Sequence, residues 1–364
     1  MTPVLSGFEA LGWQLYEQMD LSRRLQGELL AAAGFGAEPA PSRAVLELPE
    51  VTLREYEGGG AGAPALLLVP APIKRGYIFD LAPGASAARL CLEAGLRVFL
   101  VQWEAPRAGE PGPGIADYAD RLLLRCLEAV ERETGERAAF IAAHSLGGTL
   151  AAIFAALHPE RVRGLALLAS PQHFGFAAET GALGPAIAAV DRARMLEGLP
   201  GHVPGSFLSL VSFASSPASF GQERWDDWVA SLPDPAALRT HLRTERWSLD
   251  ELPLARRFVE DVVGRLFRED AFMRGTLPGG RAAPAAVKAP LLVVADERCK
   301  IVPPAAVLPF YEAAGGDKRL LWYPGDTGVA IQHVGMLVGR NAIGSLWPEI
   351  LAWVKRIGKK ARHV

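Results

Sequence analysis

Five short apolar runs punctuate this sequence, at residues 65–69, 98–101, 138–142, 165–169 and 291–295. A strand with one wet face alternates apolar and polar positions, so uninterrupted runs of this length suit strands buried on both faces. Between them, stretches such as residues 118–133 and 150–157 carry helical spacing. Strands and helices taken in turn predict an α/β fold, a doubly wound and mostly parallel sheet covered by helices on either side.

The rhythm breaks after the fourth run. Residues 172–286 hold Trp225, Trp228 and Trp247, many prolines and a helix-like stretch over 254–272. We read this segment as an inserted, mainly helical cap over the carboxyl ends of the strands, where open α/β sheets place their ligands. Residues 58–171 and 287–364 then form the core, which ends in a helix over 343–357. Residues 1–57 form an N-terminal helical and lead-in segment, set off by the Gly/Pro/Ala stretch at 58–64. A chain of 364 residues accommodates one such core with one insertion.

Half of the residues are hydrophobic, enough to bury a sizeable core. The formal charge of −2 provides no basic excess for nucleic acid or for an anionic membrane. Cys91, Cys126 and Cys299 lack the paired spacing of a metal site or a disulfide framework, which predicts reduced thiols, no bound metal and a cytoplasmic protein. The N-terminus has neither a basic n-region nor an unbroken apolar h-region, and no run approaches the roughly 20 apolar residues of a membrane span. A soluble, unsecreted protein is expected.

The third run leads directly into Ala143-His144-Ser145-Leu146-Gly147, with Gly148 next and a helical stretch beyond. Strand, sharp turn and helix in this order make a nucleophile elbow, in which a strained serine presents its hydroxyl at the top of an α/β-hydrolase sheet. Small residues two before and two after the serine fit the close approach of helix to strand, and Ala143 stands where the pattern usually has its first glycine. The bland alternative is a capping serine at a Gly-rich helix start; the strand before it favours the nucleophile. The amide of Leu146 is then one oxyanion donor, and the loop after the first run, at Ile73, supplies the second.

In this fold the base follows the last strands. Only His333 and His363 lie beyond residue 295, and His363 sits in a basic tail, so His333 is the expected base. The acid must reach the imidazole nitrogen that faces away from the serine. Asp296, at the end of the fifth run, and Asp326, on the same loop as His333, are both open for this role. His144, Lys74 and Trp247 are the expected substrate-binding residues. The first adjoins Ser145; the second offers a cation to an anionic group of the substrate or sits in a solvated loop, and the third lines an acyl tunnel or packs in the core.

Ordered segments spread over residues 45–357 carry a family resemblance. They include Tyr77-Ile78-Phe79-Asp80-Leu81-Ala82-Pro83, Gly95-Leu96-Arg97-Val98-Phe99-Leu100-Val101-Gln102-Trp103, Ala156-Leu157-His158-Pro159-Glu160-Arg161-Val162 and Ile301-Val302-Pro303-Pro304. These resemble polyhydroxyalkanoate synthases. In the cap, Leu242-Arg243-Thr244-Glu245-Arg246-Trp247 and Gly279-Gly280-Arg281 are similar to the class III catalytic subunit, which works with a separate partner subunit. The resemblance implies a triad of Cys, Asp and His that polymerises hydroxyacyl-CoA thioesters. It further implies a small acyl ester or acyl-CoA substrate, no cofactor beyond CoA carried by a substrate, and a partner subunit or homo-oligomer. Two of the three triad positions differ: Ser145 stands at the nucleophile, and Cys299, four residues before Pro303, stands at the aspartate. His333 matches.

A thiolate is a strong nucleophile and a good leaving group, so a growing chain moves readily between thioesters; an acyl-serine is a more stable oxoester that water can cleave. The expected protein is therefore a serine-dependent enzyme that hydrolyses or transfers hydroxyacyl esters or thioesters and polymerises poorly. Two alternatives stand beside it, a genuine synthase adapted to serine and a catalytically inactive binding or regulatory homologue. Polymer formation separates the first, and failure of a fluorophosphonate probe to label Ser145 favours the second.

Overall fold

The computed structural model describes residues 3–60, 62–107, 110, 112–175 and 201–360. Eight strands form the central sheet: β1 (Ser42–Leu48), β2 (Val51–Tyr56), β3 (Ala65–Val69), β4 (Arg97–Trp103), β5 (Ala139–His144), β6 (Val162–Leu168), β7 (Leu291–Ala295) and β8 (Lys318–Trp322). Their spatial order is β1-β2-β4-β3-β5-β6-β7-β8. β1 pairs with β2, and β2 with β4, in antiparallel fashion; every other neighbouring pair is parallel.

The five apolar runs are β3 to β7, five of the six strands that have a neighbour on both sides. Alternate residues of each face two separate cores, as a sheet covered on both sides requires. Leu67, Val69, Phe99 and Ile141 pack with helices α3 (Leu123–Thr134) and α4 (Leu146–Leu157) on one face. Leu66, Leu68, Leu100 and Phe140 pack with α2 (Ala87–Glu93) and α9 (Trp347–Lys360) on the other.

Three strands had no apolar run to announce them. β1 and β2 fall within residues 42–56, which the sequence reading placed in an N-terminal lead-in, and β8 follows at 318–322. β2 is interior but alternates buried Val51 and Leu53 with half-buried Thr52 and Arg54, so it makes no unbroken run; for the other two the reason is position in the sheet. β1 and β8 are edge strands with only part of their surface covered, so polar residues such as Arg43, Glu47, Lys318 and Arg319 are tolerated there. The stretch over 254–272 also differs from the single helix expected. It opens as a short strand, Leu254–Ala255, runs as a helix over Arg256–Asp261, and breaks at Asp270, whose φ is 48°. The carboxylate of Asp270 accepts the Phe174 amide at 2.9 Å and pairs with His173 Nδ1 at 2.7 Å, tertiary bonds that outweigh helical continuity.

The N-terminal helix α1 (Pro3–Leu30) lies on α5 (Gly205–Ser215) and α7 (Pro235–Leu249), helices of the segment read as a cap. Asp20 accepts the amides of Gly205 and Ser206 at 3.1 and 2.6 Å, so α1 supplies the N-terminal cap that α5 lacks in its own sequence. Trp13 and Tyr16 stack edge-on against Phe207. Helix α6 (Glu223–Ser231) packs against α7, and α8 (Gln332–Val338) follows β8 on the core side. No described helix is long and apolar enough to cross a membrane.

The strand register sets out the site. Val69 lies opposite Ala143, His144 opposite Leu168, and Leu168 opposite Val294. The chain therefore leaves β3, β5, β6 and β7 side by side, and Pro70, Ser145, Ala169 and Asp296 all sit along the carboxyl edge of the sheet.

Candidate active site

Ser145 is the single residue between β5 and α4, and its backbone angles are φ 55° and ψ −135°. A side chain is strained at such angles, so the surroundings must impose them. The Ser145 amide donates to Leu168 O at 3.1 Å, while its carbonyl accepts from Ser170 Oγ at 2.7 Å and the Gly148 amide at 2.9 Å. The glycines that follow are sterically required. A Cβ on Gly147 would overlap the carbonyl of Pro70, and one on Gly148 would overlap Ser170 Oγ. Because the obstacle at Gly147 is backbone, Gly147→Ala is expected to cost ~2 kcal/mol in urea unfolding, the usual scale of overpacking. A change below about 0.5 kcal/mol would show that the loop after β3 yields freely.

His333 sits in the first turn of α8 and is buried. Its carbonyl accepts from His144 Nε2 at 2.9 Å, and the two rings lie 4.6 Å apart, tilted by 44°. Its Nδ1 faces Cys299 Sγ at 3.7 Å. Cys299 is itself buried, and Sγ also accepts the Val302 amide at 3.3 Å. Burial pushes the thiol up to about 11, so it stays protonated at neutral pH. Burial, and then the neighbouring His144, holds His333 well below the usual 6.5 of an imidazole.

Neither carboxylate expected as the acid is bonded to His333. Asp296 is buried at the end of β7, but its Oδ1 accepts the Arg298 amide at 2.9 Å in a local turn, and Oδ2 has no hydrogen-bond partner. Asp326 is consumed by structure: it accepts from Tyr323 OH at 2.6 Å and from the amides of Asn341 and Ala342 at 2.8 and 3.2 Å. The place beside the imidazole belongs to Cys299. The spacing to Pro303 was its signal in the sequence.

Ser145 and His333 share one cavity of about 360 Å³, whose wall also includes Ile73, Lys74, His144 and Trp247. Neither Asp296 nor Asp326 contributes to that wall. Besides His144, two of these residues are already engaged. Lys74 Nζ donates to Glu251 Oε2 and to Ser248 O, both at 2.6 Å, and Trp247 Nε1 donates to Arg75 O at 2.7 Å. They tie the loop after β3 to the cap, and the Lys74 ammonium, lowered by burial against the pull of Glu251, has its charge met there. Leu146 opens α4, so its amide has no acceptor one turn earlier in the helix. Met19 and Arg23 bring α1 to the same cavity, a contribution that the N-terminal sequence gave no sign of.

The buried imidazoles make stability depend on pH. Burial lowers His144 from 6.5 to about 4, so the unfolded chain binds its proton first as the pH falls. Its contribution is complete above pH 6.5 and is lost between 6.5 and 4, ~3 kcal/mol at ~1.4 kcal/mol per unit. Thermal melts from neutral pH down to 4.5 are expected to fall steeply, and less steeply in His144→Gln, which keeps a donor for the His333 carbonyl. Equal slopes would show that His144 does not drive the loss.

Residues 64–186 match the family model described as the alpha/beta hydrolase fold. Among solved structures, monoacylglycerol lipase from Paleococcus ferrophilus superposes with a TM-score of 0.50 at 15% identity, covering 85% of this chain and 99% of that one. The chain is an enzyme of the α/β-hydrolase fold. Along its length it is similar to polyhydroxyalkanoate polymerases. It is 26% identical over 345 residues to poly(3-hydroxyalkanoate) polymerase subunit PhaC of Haloarcula marismortui, covering 90% of this chain and 69% of the relative. It is 26% identical over 349 residues to the same-named subunit of Allochromatium vinosum, covering 93% and 96%.

Proposed function

We propose that this protein forms an acyl intermediate on Ser145 and hydrolyses or transfers hydroxyacyl esters or thioesters. The observation that carries the reading is the strained backbone of Ser145 at a strand-to-helix junction, on one cavity with the buried imidazole of His333. The names of the relatives support a hydroxyacyl substrate, as an ester or carried by CoA. Their description as subunits supports a partner chain or self-association.

In this reading Ser145 Oγ attacks the acyl carbonyl carbon and passes its proton to His333 Nε2, the nitrogen turned away from Cys299. The amide of Leu146 and one from the Ile73 loop donate to the oxyanion. Collapse breaks the bond to the leaving alcohol or thiol, which takes the proton from His333. Water, or another hydroxyl, then attacks acyl-Ser145 in the same way and releases the acid or the new ester. Cys299 holds the ring through Nδ1–H, leaving the Nε2 lone pair free, yet as a neutral thiol it gives the imidazolium none of the charge stabilisation of a carboxylate.

The test is purified protein with p-nitrophenyl butyrate and with 3-hydroxybutyryl-CoA. Release of p-nitrophenol or CoA without polymer is the expected result. Polymer that depends on Ser145 would make the protein a synthase. Silence on both substrates would favour a binding role, the reading that a thiol in the carboxylate's place supports.

A further inference from the structure

Cap helix α6 reaches the loop that carries His333. Asp227 on α6 is buried, and its Oδ1 accepts the Gly328 amide at 2.8 Å. Its Oδ2 accepts the Ala330 amide at 2.7 Å and pairs with Nδ1 of the buried His241, on α7, at 2.7 Å. Both amides belong to residues with left-handed backbone, φ 80° at Gly328 and 59° at Ala330, and His333 follows three residues after the second. Ala330 has a side chain, so its conformation has to be imposed from outside. At Gly328 the fit against the cap is close: a Cβ there would lie 2.5 Å from Ala237 O of α7.

The loop from β8 to α8 is thus held at two places by different parts of the molecule. Asp326 fixes its beginning to the core through Tyr323, Asn341 and Ala342. Asp227 fixes its end, next to His333, to the cap. We propose that Asp227 is a positioning residue that couples the seating of the cap to the alignment of His333; the role assigned to His333 rests on the function proposed above. With the cap seated, the buried carboxylate draws two amides inward and sets the turn into α8. With the cap displaced, those amides lose their acceptor, the strained turn relaxes and the imidazole leaves its line to Ser145. His241 completes the device, because it directs Asp227 Oδ2 toward the loop and is itself flanked by Glu245 at 3.6 Å.

Asp227→Asn keeps the volume and one oxygen but turns an NH2 toward a backbone N–H, so one loop bond is lost. In the full-length protein, amide hydrogen exchange at Gly328 and Ala330 is expected to speed up about tenfold or more relative to the rest of the chain. On p-nitrophenyl butyrate kcat is expected to fall roughly 10- to 100-fold with KM changed less than about threefold, as for a base displaced by a fraction of an ångström to an ångström. His241→Gln, which still offers Asp227 a donor, should show a smaller change of the same kind. Unchanged exchange in the loop overturns the proposal, as does faster exchange with kcat within about twofold of wild type. A rise in KM alone also overturns it, since that marks substrate contact. If wild type turns over neither substrate, the proposed function fails while the exchange ratio still decides whether Asp227 anchors the loop.

Discussion

Ser145→Ala is expected to lower kcat/KM on p-nitrophenyl butyrate at least ~10³-fold, with the fold intact. Removing the nucleophile of a complete triad costs about 10⁶ in kcat. The wild type here lacks the carboxylate, starts from a slower reaction and has less to lose. Alanine can take the elbow conformation at no greater strain than serine, and the bonds that hold the turn use backbone atoms of residue 145, so unfolding should change little. A fluorophosphonate probe should label wild type on Ser145 and leave Ser145→Ala unlabelled in intact-mass spectra. Activity above about a tenth of wild type in the variant would place the nucleophile elsewhere.

What the sequence disclosed about this molecule follows from where each signal is stored. The inner strands β3 to β7 are legible because burial on both faces leaves no polar positions. The edge strands β1 and β8 are not, because half-covered strands carry charges such as Arg43 and Arg319. That Ser145 stands at a strand-to-helix turn and that His333 follows the last strand is legible from the order of strand, turn and helix, and the structure places both on one cavity. The partner of the imidazole is harder to see. Triad logic searches for a carboxylate, and of the two that the sequence offered, Asp296 bonds a turn through Oδ1 and Asp326 anchors a loop. The contact of Asp227 with residues 328 and 330 leaves no local pattern at all, since it joins positions about a hundred residues apart through the packing of cap on core.

Cys299→Asp is expected to raise kcat/KM, by about 10²-fold, toward what a triad acid contributes when the corresponding asparagine variant of a serine protease loses ~10⁴. The position is suited to it: the side chain at 299 already faces His333 Nδ1 at 3.7 Å and accepts the Val302 amide, a donor that a carboxylate would also use. The sign of the pH effect follows from charge. In wild type, burial without a counter-ion keeps His333 neutral to well below pH 6.5, so the acid limb of kcat/KM lies below that value. A carboxylate stabilises the imidazolium, raises the pKa of His333 and moves the acid limb to higher pH. Cys299→Ser, neutral like the thiol, should leave the limb where it is. The buried charge carries a desolvation cost, so Cys299→Asp should also unfold more readily where His333 is neutral than where the pair is charged. A folded Cys299→Asp protein with no gain in rate and no movement of the limb would mean that residue 299 does not govern the imidazole, and that the slow step lies away from proton transfer.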